Sequence, residues 1–543
     1  MNSKRKEKDM RNKIAAGILT TVLGITALTG SVGIGGKIVQ AKETSEGSGN
    51  TDEEGVLRLA YPSTLTSVDV LEGGGAVLAK EVARVAETLV DVTPEFELTP
   101  ALAETWERTD EKTWEFKLRE DVTFHDGTEL DAKAVKWCLD RSLEGNESLA
   151  KTTGIESIEA VDDHTVRFHM KEASGELPEA LSNPATVIIA PTSVNEEGEV
   201  EKMIGTGYFQ QESFDVADGT FICVPYDGYY KDVDTNVKKR VILSMEEPST
   251  RSLSVQNDEL DVASDIPFSD LEILKDTEGV VAEPYVTDRV YFYYYNTYKE
   301  WLKDKNVRKA LIYAIDKEEI VSDMLMGVGS VPDGIFSSDV PWADTEVDTY
   351  EYDPQKALTM LEEAGYTDSD QDGFLDKDGE KLSVTIVASS ARPGNTLITQ
   401  GTQGYFQSIG IDASVKLLEG NSYYDTLENG EFDLCLNSAT TSYVPSASYY
   451  LEAFYHSDCY TAGNSGYSNP ELDALIEKCK SMEAGEEKNE VSRQAQQIAQ
   501  DDAALFTVAG YGSVFAFSDR MDNFTFSPAA HEYIASETIR LKE

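Results

Sequence analysis

Five short stretches of the chain have the apolar pattern of β-strands. Strict alternation of apolar and polar residues at 114–118 and 165–170 predicts strands that bury one face. The stretches 56–60, 384–387 and 413–417 are short and mainly apolar, which also predicts strands. We therefore expect strands in both halves of the chain.

Three longer stretches repeat apolar residues at helical spacing. The pattern predicts helices over 77–89, 307–326 and 353–364. The third begins with Asp-Pro and is followed by Gly365, as capping chemistry favours. Because strand-like and helix-like stretches alternate along the chain, we predict a mixed α/β fold class.

The amino terminus has the pattern of an export signal. An uncharged stretch over 14–36 follows six basic residues, Lys4, Arg5, Lys6, Lys8, Arg11 and Lys13. The small-residue sequence at 39–41 predicts cleavage there, although the apolar stretch is also long enough to remain as a membrane anchor. A lipoprotein-like box has Ser31 in place of the modified cysteine, which argues against lipidation. We therefore predict an extracytoplasmic protein.

Length and charge narrow the class of protein further. A chain of 543 residues is too long for one hydrophobic core, so two lobes are expected. The net charge of -52 would repel nucleic acid. The acidic surface is interpreted as a solvated face, with attraction of cationic solutes as the alternative.

The sequence lacks the usual motifs of catalytic and metal centres. It has no HExxH zinc motif and no GxSxG nucleophile elbow, so an enzyme is not expected. Its five cysteines include no CxxC pair, and their odd number cannot all be bridged within one chain. We interpret the cysteines as buried apolar residues and expect no resident cofactor.

Ordered blocks of sequence from residue 56 onward closely resemble the oligopeptide-, dipeptide- and nickel-binding proteins of ABC importers. Their spacing is nearest to that of the nickel-binding members. The blocks include Leu98–Glu107, Trp114–Arg119, Phe124–Thr128, Ile204–Gly207, Ser249–Arg251, Val307–Leu311, Ala314–Asp316, Tyr352–Pro354, Ala364–Tyr366 and Gly466–Pro470.

The resemblance implies a two-lobed clamshell of the type II periplasmic-binding-protein kind, with an extra subdomain in the first lobe. It implies capture of a short peptide or a nickel- or cobalt-type chelate, and delivery to the permease and ATPase subunits of an importer. We predict a monomer. The predicted segments are 1–41 signal peptide or membrane anchor, 42–55 flexible linker, 56–90 lobe I, 91–200 extra subdomain, 201–285 lobe I, 286–514 lobe II and 515–543 lobe I.

The resemblance also suggests ligand-binding residues. Tyr443 lies in a segment that lines the cleft in relatives, and its ring suits a closing pocket. His456 and His531 come from regions that face the cleft in nickel-binding relatives, and neutral imidazole suits nickel or cobalt. We predict that these two histidines hold the metal of a chelate, with surface positions as the alternative.

Three candidate positions depart from the relatives. Val444 replaces the aspartate that pairs with a peptide ammonium. Val187 lies in the stretch 183–191, which lacks the arginine of nickel-binding relatives. Gly74 stands where relatives have a bulky cleft residue, which predicts either a roomier pocket or a plain loop. Neither known specificity therefore transfers intact.

An acidic loop has the spacing of a calcium site. Asp368, Asp370, Asp372 and Asp376 surround a glycine that permits a sharp turn. Position twelve is Gly379 instead of the usual bidentate glutamate. Many relatives have a similar Asp- and Gly-rich hairpin, so we expect a hairpin that binds no ion, with a structural calcium site as the alternative.

Two other functions remain open on sequence grounds. A sensor could bind the same solute and present it to a membrane receptor. A secreted hydrolase is the third class, for which Gly463 to Gly466 offers only a faint serine-loop pattern.

Overall fold

The structure is a computed structural model that describes residues 54–72, 74–337, 339–344, 346–390, 392–529 and 536–542. The predicted signal or anchor segment, nearly all of the predicted linker and His531 lie outside these residues. Within the described ranges, no helix has both the length and the apolar character needed to cross a membrane.

One large mixed sheet forms the framework of the protein. Its strand order is β17-β16-β18-β12-β19-β11-β1-β10-β9-β8, with β13 paired to β19. The strands are β1 (Val56–Tyr61), β8 (Phe209–Asp215), β9 (Thr220–Pro225), β10 (Lys239–Ser244), β11 (Val262–Ala263), β12 (Val280–Tyr295), β13 (Gly329–Ser330), β16 (Ser383–Ser389), β17 (Asp412–Leu418), β18 (Leu434–Ala439) and β19 (Leu505–Ser518).

Two long antiparallel strands, β12 and β19, join the two halves of this sheet. On one side β19 pairs with β11 and leads to β1, β10, β9 and β8, which we call the first lobe. On the other side β12 pairs with β18 and leads to β16 and β17, which we call the second lobe. Two shared strands allow the lobes to move as rigid bodies about one hinge.

A separate antiparallel sheet forms the subdomain of the first lobe. Its strand order is β4-β5-β7-β6, and two small hairpins lie elsewhere. The remaining strands are β2 (Val90–Val92), β3 (Leu98–Pro100), β4 (Ala103–Asp110), β5 (Thr113–Leu118), β6 (Ile155–Asp162), β7 (Thr165–Met170), β14 (Asp376–Lys377) and β15 (Glu380–Lys381).

Helices cover the sheets and have conventional caps. The Asp353 side chain accepts the Lys356 N–H, and Gly365 follows with φ +90°, as the sequence predicted. The longer helices are α1 (Ala132–Gly145), α2 (Pro248–Gln256), α3 (Lys305–Tyr313), α4 (Pro354–Glu363), α5 (Pro393–Ser408), α6 (Gly420–Glu428), α7 (Ala447–Phe454), α8 (Pro470–Ser481) and α9 (Glu486–Asp502).

Shorter helical segments connect these elements. Two of them are π-helical turns, over Leu78–Val82 and Ile320–Met324. The others are Gly75–Val77, Glu147–Thr153, Leu177–Ala180, Pro184–Thr186, Pro191–Ser193, Phe268–Asp270, Leu271–Lys275, Glu300–Lys303, Lys317–Glu319 and Tyr460–Ser465.

The carboxyl-terminal segment packs onto the first lobe. Ile539 and Leu541 belong to the same hydrophobic cluster as the strands and subdomain of that lobe. Phe526 stacks on Tyr285 with ring centroids 4.4 Å apart. The end of the chain therefore completes the lobe in which the described chain begins. All five cysteines are buried and unbridged, which confirms their interpretation as apolar residues.

The predicted helix over 77–89 is wrong beyond residue 82. The backbone leaves the helix at Arg84, which has φ +56°. The carbonyl groups of Arg84 and Val85 instead accept hydrogen bonds from Phe209 and Gly207. Tertiary pairing therefore overrides the local helical pattern.

The predicted helix over 307–326 is also interrupted. Helix α3 ends at Tyr313, and the Asp316 side chain caps a new turn by accepting the Glu319 N–H. An aspartate that bonds to nearby backbone competes with helix continuation.

Candidate functional site

A cavity of about 160 Å³ lies between the two lobes. The first lobe contributes residues from the π-helical turn, from β2 and from the region of residues 182–184. The second lobe contributes the loop after β18, and the carboxyl-terminal segment contributes a third side. The lining residues are Lys80, Glu81, Arg84, Asp91, Val92, Pro94, Ser182, Pro184, Thr440, Ser442, Tyr443, Thr525, Ser527, Ala529 and Ser536.

Lys80 is the central cation of the first-lobe wall. Its Nζ lies 2.6 Å from the Ser182 carbonyl oxygen and 3.1 Å from Asp91 Oδ1. Burial alone would raise the pKa of the Asp91 carboxyl, but the charges of Lys80 and Arg84 outweigh it and lower the pKa to about 2. Asp91 is therefore a carboxylate at any physiological pH.

Arg84 joins this wall to the carboxyl-terminal segment. Its Nη2 lies 2.9 Å from Glu537 Oε2, and its Nη1 donates to the Lys80 carbonyl at 3.0 Å. Burial would lower the pKa of the guanidinium, yet Glu537 and then Asp91 raise it above its usual value. A positive φ at a residue other than glycine and a π-helical turn both recur at functional sites.

The second-lobe wall is held by a buried carboxylate in the hinge. Asp288 lies within the register shift of β12 between Val286 and Val290, and its Oδ2 accepts the backbone N–H groups of Thr441 and Ser442, each at 2.8 Å. Burial raises the pKa of this carboxyl, against the lowering effects of Ser442, of the Arg289 charge and of the Thr441 N–H. The loop that carries Tyr443 is therefore fixed to the strand about which the lobes turn.

The structure brings Tyr443 to the cavity, where it packs edge-on against Tyr449 at 6.4 Å. Val444 is the next residue and is buried beside a second, much smaller cavity of about 10 Å³. Its apolar side chain offers no partner to an ammonium group. The roles predicted for both residues stay predictions.

Gly74 and Val187 do not line the larger cavity. Gly74 has φ +85°, and a Cβ there would lie 2.6 Å from Tyr61 Oη, so the position requires glycine for conformational reasons. Val187 is fully buried in the core of the first lobe, and its carbonyl accepts from Cys138 Sγ at 3.4 Å.

His456 lies at the end of α7, away from the cavity lining. Its Nδ1 accepts the Asp458 N–H at 3.2 Å, and its Nε2 lies 3.7 Å from Glu477 Oε1. His531 is outside the described residues, although Ala529 on one side and Ser536 on the other line the cavity. A metal held between the two histidines stays a prediction.

The acidic loop places three of its four predicted carboxylates together. Oxygen atoms of Asp368, Asp370 and Asp376 lie within 4.8 Å of one another. Asp372 instead pairs with Lys381 at 3.0 Å. The loop also satisfies several of its carboxylates with its own N–H and hydroxyl groups, as at Ser369. Calcium binding stays a prediction.

Sequence reasoning missed the charged residues of the first-lobe wall. Lys80, Glu81 and Arg84 lie inside the otherwise apolar stretch 76–86. Three charges on a stretch that must pack against a core are unusual, because buried charges require partners. Charged residues inside this apolar stretch were therefore the sequence feature that could have indicated the wall.

Comparisons with known proteins agree with this architecture. The model of the bacterial extracellular solute-binding proteins, family 5 (middle region), matches residues 97–462. The oligopeptide-binding protein AppA of Bacillus subtilis is 30% identical over 418 residues, covering 71% of this chain and 73% of AppA. The probable D,D-dipeptide-binding periplasmic protein DdpA of Escherichia coli is 24% identical, covering 81% of this chain and 84% of that protein.

A solved structure extends the agreement to three dimensions. The nickel ABC transporter structure from Bacillus halodurans superposes with a TM-score of 0.73 and 30% identity, covering 90% of this chain and all of that one. These findings confirm the predicted two-lobed α/β clamshell and the family resemblance. The chain therefore belongs to the bacterial extracellular solute-binding proteins of family 5.

Proposed function

We propose that this protein encloses a small polar solute between its lobes, outside the cytoplasm, and delivers it chemically unchanged to the permease and ATPase subunits of an ABC importer. The observation that supports this most is the cavity at the interface of two lobes joined by two hinge strands. Closure of such a hinge buries a solute and changes the shape of the whole protein. An importer can then recognise the loaded shape.

A short peptide is the solute class that the lining favours. The wall presents cations at Lys80 and Arg84 and carboxylates at Glu81 and Asp91, with hydroxyl groups on the other sides. This arrangement offers balanced charge, which matches a zwitterion that has both an ammonium and a carboxylate. The cavity is smaller than the roughly 300–1,000 Å³ of sites for drug-sized ligands, which favours a peptide of two or three residues.

A nickel or cobalt chelate is the second candidate. The structural relative at 30% identity is a nickel transporter protein, and an amino-acid chelator carries the same ammonium and carboxylate groups as a peptide. Because His456 does not line the cavity, Lys80 and Arg84 would hold the chelate through its organic part. His531 remains the candidate for a direct bond to the metal.

Several related predictions belong to the same proposal. The protein performs no catalysis, acts as a monomer, and is exported by its amino-terminal segment, which is either cleaved or retained as an anchor. The sensor role differs only in the partner that recognises the loaded shape. Co-purification with permease subunits from membranes distinguishes the importer role from the sensor role.

Calorimetric titration with di- and tripeptides, and with nickel plus histidine, tests the proposal. We expect one class to bind, and we expect Asp91→Asn to weaken binding about 10- to 100-fold, as for loss of a hydrogen bond to a charged group. The matched control is Asp425→Asn, on the exposed face of α6. Mass spectrometry of the solute after incubation completes the test, since a converted product would contradict transport.

A further inference from the structure

A buried polar cluster connects the lobes at a place separate from the large cavity. Glu176 precedes the short helix Leu177–Ala180, and Leu177 and Leu181 are fully buried in the core of the first lobe. The carboxylate of Glu176 points away from that core and toward the second lobe. Only 5% of the residue is exposed to solvent.

Two helices of the second lobe supply the partners of this carboxylate. The hydroxyl groups of Ser446 and Ser448, at the start of α7, each donate to one of its oxygens. Lys488 Nζ, on α9, lies 2.6 Å from Glu176 Oε1 and is itself only 8% exposed. Both helices pack in the core around β12 and α8, which belongs to the second lobe.

The backbone of the same segment also contacts the second lobe. The Gly175 N–H donates to the Lys480 carbonyl at 3.0 Å. A Cβ at Gly175 would lie 2.1 Å from the Met482 carbonyl oxygen, so the approach of the two chains requires glycine. The two lobes therefore pack closely here, around the Glu176–Lys488 ion pair.

We propose that the Glu176–Lys488 pair is a closure latch, which stabilises the closed arrangement of the lobes and so sets solute affinity without touching the solute. Neither residue lines the large cavity, yet Ser446 follows Tyr443 by three positions in the same loop. Forming the latch holds the loop that supplies the second-lobe wall. The link to solute affinity rests on the proposed function, whereas the effect on closure does not.

The charges make the latch sensitive to loss of one partner. In an open arrangement water can solvate both side chains, whereas closure removes that water and leaves each charge dependent on the other. Removal of one partner then leaves an uncompensated buried charge, which is far more costly than removal of both. A latch of this kind predicts a specific pattern across single and double variants.

A second carboxylate beside the latch works against closure. Glu179 is one helical turn from Glu176, and its Oε2 is buried with no hydrogen-bond partner in the described part of the chain. Burial raises the pKa of Glu179 to about 7, against the lowering effect of Lys488. Replacing it by a neutral residue of the same size should therefore favour closure.

Double electron–electron resonance, which measures the distance between a spin label on each lobe, tests the latch without any solute. Labels at Val216→Cys and Tyr424→Cys occupy exposed positions, while the native cysteines are buried. We expect the full-length protein to show a population whose label-to-label distance equals the one calculated from this structure. Lys488→Met should lower the closed-to-open ratio at least about tenfold, because the buried Glu176 carboxylate loses its cation.

Companion variants separate a latch from general damage. Adding Glu176→Gln to Lys488→Met should bring the ratio back to within about threefold of the original, and Glu179→Gln alone should raise it. The matched control is Lys299→Met, because Lys299 pairs with Asp433 at 2.7 Å inside the second lobe. Superimposable distance distributions for all variants would overturn the proposal, and so would a parent protein without the closed population.

Discussion

Protonation of His125 should weaken the first lobe at mildly acidic pH. The neutral ring donates its Nε2–H to the Gly207 carbonyl at 2.9 Å, and its Nδ1 accepts the Gly205 N–H at 3.2 Å. Gly207 in turn donates to the Val85 carbonyl, next to the cavity residue Arg84. A second proton on the ring removes the acceptor and adds a charge to a largely buried site, so burial lowers the pKa of His125 to about 4.

The magnitude follows from the difference between the folded and unfolded protein. An unfolded histidine has a pKa near 6.5, so between about pH 6.5 and 4 the unfolded chain binds the extra proton and the folded one does not. The contribution of His125 to the free energy of unfolding is fully present above this window, and it is lost as the pH decreases through the window. At about 1.4 kcal/mol per pKa unit, the loss from this group is about 3 kcal/mol at pH 4.

Nuclear magnetic resonance of ¹⁵N-histidine-labelled protein gives the direct assay. We expect His125 to titrate near 4 and to be the Nε2–H tautomer at pH 7, and we expect His125→Gln to remove about 3 kcal/mol of the pH dependence of unfolding. His169, which is only half-buried on β7, is the internal comparison. A midpoint near 6.5 for His125 would refute the reasoning.

Two further substitutions test the walls of the cavity. Asp288→Ala leaves the N–H groups of Thr441 and Ser442 without an acceptor, so we expect the free energy of unfolding to fall by about 2–4 kcal/mol and solute binding to weaken; urea denaturation and calorimetry measure both, and unchanged values would contradict the loop's assigned support. Gly74→Ala should cost at least about 1 kcal/mol, because it combines φ +85° with a Cβ 2.6 Å from Tyr61 Oη. A stabilised Gly74→Ala variant would contradict that conformational requirement.

Local patterns predicted the framework of the fold well. Alternation correctly identified the strands at 114–118 and 165–170, because each buries one face against a core. The Asp-Pro start and glycine end of α4 were also correct, since capping depends on a few neighbouring residues. Strands and helix ends that are determined by neighbouring residues could therefore be predicted from the sequence.

Errors arose where distant parts of the chain decide the conformation. The helix predicted at 77–89 ends at a π-helical turn because Gly207 and Phe209, far along the chain, bond to its carbonyl groups. The charged wall at Lys80 was not predicted, because its partners, Asp91 and the Ser182 carbonyl, come from separate segments. Pairing over such separations leaves no local periodicity.

In the candidate site, too, features set by local sequence were predicted and features set by distant contacts were not. The family motifs placed Tyr443 in the cleft region, and it lines the cavity. Alignment of motifs could not reveal Glu176, because its role depends on Ser446 and Lys488 meeting it from another lobe. Interlobe contacts depend on three-dimensional docking, which the order of residues along the chain does not encode locally.

Small-angle X-ray scattering tests the central claim most directly, with the full-length protein measured alone and with the peptide or chelate that calorimetry identifies. We predict that saturating solute lowers the radius of gyration toward the value calculated from this structure, and that the solute is recovered intact. An identical scattering profile with and without bound solute would contradict enclosure by hinged lobes.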